Sequence, residues 1–303
     1  MAMEEVLDSV RRIIHKWVNT ITPITLNVTA GDLTISVQNV RRFQPGDQIM
    51  IKNSEVYETG LIIKETDSDA QTITLASPAL NSWAVSPNTT IIKTIGNQIV
   101  QGVYIGDPDV IMHYPAITVN GVSRTSEWLT LESTTERYEI EIGIFVKDST
   151  HEEGYRFLTR LVDTIQTGLK RNVIPILYDI GLKLTSLKED YVINDPNIVV
   201  NDIEFFEPYH RIFLEDPYQY IETWTDVIYD DNETVKLKWP LALSFDASNT
   251  TVAVPKRFIY NSWPATINYG KIHKGELLKA ATISWFAEEQ ESQFLRRDEG
   301  RIY

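Results

Sequence analysis

The chain has 303 residues, with 42 acidic against 28 basic side chains, a formal net charge of −14 and no cysteine. That balance speaks against a basic nucleic-acid surface, since neutralising phosphates needs clustered Lys and Arg. The missing cysteines exclude disulfides, thiolate catalysis and Cys-type zinc sites. With 43% hydrophobic and 23% charged residues, the composition is that of a folded chain long enough for two or more cores. The acidic, amphipathic start MAMEEVLDSVRR is unlike a signal peptide, and no apolar run reaches the ~18 residues of a membrane span, so a soluble intracellular protein is expected.

The first predicted element is a helix over Met3–Ile21. Val6, Val10, Ile13, Trp17 and Ile21 share one stripe, and the acidic Glu4, Glu5 and Asp8 precede the basic Arg11, Arg12 and Lys16 as the helix dipole favours. From Pro23 to Ile95 short β-branched segments alternate with turn chemistry: Leu33–Val37, Gln48–Ile51, Gly60–Glu65, Thr72–Ala76 and Thr89–Thr94, with PGD at Pro45–Asp47 and DSDA at Asp67–Ala70. Five such strands predict a small β-barrel or sandwich. In Tyr138–Val146 the apolar Tyr138, Ile140, Ile142, Ile144 and Val146 alternate with Glu139 and Glu141, which predicts a strand with one polar face. Ser149 and Glu152 read as a capping box opening a helix over His151–Arg171, whose buried stripe is Leu158, Leu161, Val162, Ile165 and Leu169. Leu182–Ile193 and Asn197–Thr225 read as further strands, the latter broken by Pro208 and Pro217. The polar stretch Asn120–Arg137, opened by Asn-Gly, reads as a projecting hairpin or loop. Lys236–Phe245 and Thr251–Ile272 look like β structure, Gly275–Tyr303 mixes strand and helix signals, and no internal repeat stands out.

Chemistry-bearing patterns are sparse. His15, His113, His151, His210 and His273 are dispersed without HExxH spacing, and neither GxGxxG nor GK[ST] occurs. Asp107 with Asp109, and Asp67 with Asp69, lack an EF-hand spacing and read as turn residues. The sequons at Asn27, Asn88, Asn232 and Asn249 carry no meaning without secretion. No catalytic, cofactor-binding or metal-ligating residue is identified, and an enzyme is not expected. The aromatic run Phe205, Phe206, Tyr209, Phe213, Tyr218, Tyr220 and Trp224 suits a sheet core, a subunit interface or a sugar-stacking platform.

The order Gly102–Val119 loop, alternating strand and amphipathic helix His151–Arg171, with the lone helix at Met3–Ile21, resembles the tail-terminator or tail-completion proteins of tailed bacteriophages. The resemblance implies an α+β fold, an antiparallel sheet packed against helices, here with an inserted β module and a β-rich C-terminal extension. The expected division is residues 1–22 as the first helix of the core, 23–95 as the inserted barrel or sandwich, 96–225 as the core, and 226–303 as the extension. The function it implies is a structural virion protein, a hexameric ring at the neck that caps the tail tube and joins it to the head-side connector. Its implied partners are the tube protein, the connector and the tail sheath, with DNA passing through the lumen. It would be assembled in the host cytoplasm. A head–tail adaptor or baseplate component is the alternative, and a carbohydrate-binding module of a virion protein is a second. Candidate protein–protein interface residues are Arg124, Arg137, Glu139, Glu141, Tyr209 and Trp224.

Overall fold

The structure, a computed structural model, describes residues 3–96, 98–108, 111, 113–130, 133–147, 150–171, 174–175, 183–206, 211–216, 221–230, 234–255, 257–270 and 278–291. Among the described residues 49% lie in strands and 16% in helices, with only two α-helices. The α+β expectation is thereby corrected: the protein is mostly β, built from three curled six-stranded sheets. The two strongly amphipathic segments do form helices, but the β-branched runs between and after them make sheets of their own.

The first sheet comprises β1 (Ile21–Pro23), β2 (Thr34–Ser36), β3 (Gln48–Lys52), β4 (Tyr57–Asp67), β5 (Thr72–Leu75) and β6 (Thr90–Thr94). Its order is β1-β6-β3-β4-β5-β2, antiparallel throughout. An Ile24–Val37 bridge ties the ends of the two edge strands, so the sheet closes on itself. Ile35, Ile49, Ile51, Ile73 and Ile91 fill the interior and are fully buried. Each such side chain contributes roughly 1.5–3 kcal/mol by leaving water.

The central sheet holds β7 (Gly102–Ile105), β8 (Ala116–Thr130), β9 (Ser133–Lys147), β10 (Ile174–Pro175), β17 (Arg257–Tyr269) and β18 (Leu278–Glu291) in the order β10-β17-β18-β9-β8-β7. Helices α1 (Met3–Val18) and α2 (His151–Arg171) pack on one face of it. Val10, Ile13 and Ile14 of α1 share a core with Leu158, Leu161 and Ile165 of α2 and with Ile140, Ile142, Ile283 and Trp285 of the sheet. The polar stretch expected as a projection continues the β8–β9 ladder, and Gly121–Glu127 are exposed. The N-cap of α2 is Thr150, not Ser149: the Glu153 N–H donates to Thr150 Oγ1 at 3.2 Å, one residue beyond the predicted box. Ser149 lies outside the described residues.

The third sheet contains β11 (Lys183–Ser186), β12 (Asn197–Ile198), β13 (Arg211–Asp216), β14 (Ile221–Asp230), β15 (Val235–Leu237) and β16 (Thr251–Val254), ordered β11-β16-β13-β14-β15-β12. This is the strand permutation of the first sheet, and a Leu187–Val200 bridge joins its edges where Ile24–Val37 joins the other. A structural repeat is therefore present where the sequence reading saw none. Sheet membership also cuts across the boundary expected near residue 225. β13 and β14 belong with β15 and β16, while β17 and β18 return to the centre of the helix-covered sheet.

Candidate interface on the central sheet

Alternation along β9 decides which candidate residues meet. Tyr138, Ile140, Ile142, Ile144 and Val146 face the helices, and Arg137, Glu139 and Glu141 take the opposite face. The ladder shifts between Gly121 and Ser123 and so re-aims β8. Arg124 consequently sits on the Tyr138 side, its guanidinium 5.9 Å from the Tyr138 ring centroid. The two candidate arginines thus lie on opposite faces and form no joint site.

On the helix side, Arg124 Nε donates to Glu136 Oε2 at 2.8 Å, and Ser126 Oγ also donates to Glu136. The hydrogen bond from Arg124 holds the Glu136 carboxyl below its ordinary range, and the same bond raises Arg124. Tyr138 donates from its hydroxyl to Glu289 Oε2 at 2.8 Å. Burial, reinforced by the Glu289 charge, pushes the phenol up, so it stays a neutral donor.

On the opposite face, Arg137 Nη2 donates to Glu288 Oε1 at 2.7 Å, and its guanidinium lies 5.6 Å from the Trp263 ring centroid. Trp263 stacks on Phe286 at 5.8 Å, and Asn261 Nδ2 donates to Glu288 Oε2 at 3.2 Å. Ser123 Oγ donates to Glu139 Oε2 at 3.1 Å. Glu141 is exposed. This face therefore combines carboxylates with an aromatic pair, a surface suited to protein recognition. Trp263 and Phe286 escaped the sequence reading, although Phe286 follows the alternation of β18, in which Ala281, Ile283, Trp285 and Ala287 are buried. Trp224 lies on β14 of the third sheet, opposite Phe213, and so apart from this surface. Tyr209 lies outside the described residues.

The edges of the central sheet complete the geometry. β7 pairs with β8 only along Ala116–Val119, and β10 pairs with β17 only at Phe258 and Ile259. Among the described residues, β8 from Asn120 to Thr130 and β17 from Asn261 to Tyr269 therefore have a ladder partner on one side only. Val122, in the β8 irregularity, is an apolar side chain 57% exposed on that edge. Among the described residues no group of three His, Asp or Glu side chains is placed to hold a metal ion.

No protein-family model and no curated protein sequence matches the chain. Among solved structures, Gp54, a tailspike of the Acinetobacter baumannii bacteriophage AP22 in complex with A. baumannii capsular saccharide, matches 29% of this chain and 17% of its own, with 12% identity and a TM-score of 0.23. Likeness of that extent carries no argument about fold or function.

Proposed function

We propose that this protein is a structural virion protein of a tailed bacteriophage, a ring-forming component of the neck that caps the tail tube and meets the head-side connector. The arrangement carrying the resemblance to tail-terminator proteins supports this reading, and one structural observation favours a ring above all. The two long outer strands, β8 and β17, run along opposite sides of one sheet and, among the described residues, lack outer partners over most of their length. Unpaired edges template strand addition unless something covers them. An edge at each side of the same sheet lets β8 of one copy pair with β17 of the next, a heterologous contact that closes into a ring when the rotation allows. Pro264 removes one donor from β17, so pairing would be confined to the segments flanking it. The acidic face bearing Glu139 and Glu141 would then be presented to the neighbours above or below.

The test is Val122→Glu, which places a charge on the β8 edge without touching the core. The thermal midpoint is expected to stay near that of the parent, as for most exposed substitutions. Ring assembly and tube capping should be lost, giving overlong tails in infected cells. Normal tail length with this variant would refute pairing through the β8 edge.

A further inference from the structure

We infer that the chain is a tandem duplication, a two-fold dimer fused into one polypeptide, in which each half is a helix, a closed six-stranded module and a long hairpin. The first half is α1, β1–β6 and β8–β9; the second is α2, β11–β16 and β17–β18. The two modules agree beyond their strand order, at a shift of 163 residues that shortens to 161 toward their ends. The Asn39 N–H donates to Thr22 Oγ1 at 3.0 Å, and the Asp202 N–H to Thr185 Oγ1 at 3.2 Å. The Val85 N–H donates to Asn27 Oδ1 at 2.8 Å, and the Ala247 N–H to Asp190 Oδ1 at 2.8 Å. Ala30 N–H reaches Ser82 Oγ at 3.0 Å as Ile193 N–H reaches Ser244 Oγ at 3.1 Å. The reciprocal Val28–Trp83 bridge recurs as Tyr191–Phe245. Gly31 and Asn194 both take positive φ, 102° and 67°, at the same point of the same loop. Glycine and asparagine are the residues that tolerate this region best.

Side-chain contacts of this kind are not required by a strand order. A barrel of given topology can stitch its loops in many ways, so repeated donors and acceptors at a near-constant shift point to common descent. The sequence agrees once aligned this way. Pro78, Ser82 and the Asn88-Thr89-Thr90 run face Pro240, Ser244 and the Asn249-Thr250-Thr251 run. The helices align at a shift of 148. Glu4-Glu5 then matches Glu152-Glu153, and the buried Val10, Ile13, Ile14 and Trp17 match the buried Leu158, Leu161, Val162 and Ile165.

The halves join as an isologous pair joins. The hairpins meet through antiparallel β9–β18, so an approximate two-fold normal to the sheet relates β9 to β18 and β8 to β17. Each helix also leans on the other half's chain. Arg12 of α1 lies 5.1 Å from the Phe213 ring centroid and Lys16 pairs with Glu215, while Gly96 beyond β6 leaves room for Phe157 of α2. Fusion makes this pairing intramolecular. The consequence for partners, which rests on the ring reading above, is that each chain offers any neighbour two equivalent modules, twice as many as there are subunits.

Module exchange in the full-length chain tests the duplication. In one chimera residues 183–254 are replaced by residues 20–93, which the shifts of 163 and 161 match to them, and in the other the replacement is reversed. At least one is expected to unfold in a single cooperative transition at the parent's oligomeric mass. Matched point variants supply a second measurement that needs no exchange of modules. Asn27→Ala should speed hydrogen exchange at Val85, and Asp190→Ala at Ala247, each by on the order of five- to tenfold. Failure of both chimeras to fold, or acceleration at one member of a matched pair without the other, would overturn the duplication. Neither readout involves tail capping, so a failure here is distinct from a failure of the neck assignment.

Discussion

Arg124 donates to Glu136 across the β8–β9 ladder, and this pair sets how the hairpin responds to acid. Glu136 titrates lower in the folded chain than in the unfolded one, where its ordinary value is 4.5. Its contribution to stability is therefore complete above that value and is lost as the pH falls through the lowered one. Arg124 is 40% exposed, so screening limits the loss to about 0.5 kcal/mol. The urea midpoint of the parent should drop more between pH 7 and pH 3 than that of Glu136→Gln; parallel curves would remove the pair from the account. The same pair makes Arg124→Glu a poor probe of an interface, because the new carboxylate would face Glu136. Sequence pattern placed Glu139 and Glu141 on a polar face correctly, since strict alternation needs no tertiary knowledge. It could not separate Arg124 from Arg137, because the irregularity at Val122 that reverses the facing of β8 has no sequence signature beyond Asn-Gly.

Elements with a long period were legible and short ones less so. α2 spans the predicted His151–Arg171, and β3 to β6 overlap their predicted segments, because each is a run of one periodicity bounded by turn residues. β18 was not placed from sequence: its Trp285, Phe286 and the glutamates after them satisfy helix and strand periods alike, and only pairing with β9 and β17 decides. What holds the module loops is also invisible in sequence. Glu58 on β4 is 5% exposed. It accepts from the Leu80 N–H at 2.7 Å, the Asn81 N–H at 3.1 Å, Asn81 Nδ2 at 3.1 Å and Trp83 Nε1 at 3.3 Å. In the second module Thr225 of β14 does a similar task by donating to the Trp239 carbonyl at 2.9 Å. Glu58→Ala removes the acceptor shared by its four donors, the buried Trp83 indole N–H among them, and should cost about 3 kcal/mol, with Glu58→Gln losing less because one acceptor oxygen remains. Calorimetry showing an unchanged midpoint for Glu58→Ala would contradict the role given to this carboxylate.

At the scale of the whole molecule, two closed modules accompany a central sheet whose two long outer strands, among the described residues, are paired on one side only over most of their length. The expected C-terminal extension does not stand apart from the core, for a physical reason. Strand pairing joins segments far apart in sequence, so β17 and β18, from Arg257 onward, complete a sheet begun at Gly102. The repeat went unseen because it survives in hydrogen bonds and buried positions more than in residue identity. The Asn88 and Asn249 sequons were its visible trace, read only as accidental glycosylation signals. The central claim, assembly into a ring on the tail tube, is tested most directly by imaging the purified full-length protein in negative stain with and without isolated tail tubes, alongside its mass by light scattering. A closed ring, of six copies if the resemblance to tail terminators holds in full, seated on one end of the tube is the predicted result. A strictly monomeric protein that leaves tube ends bare would contradict it.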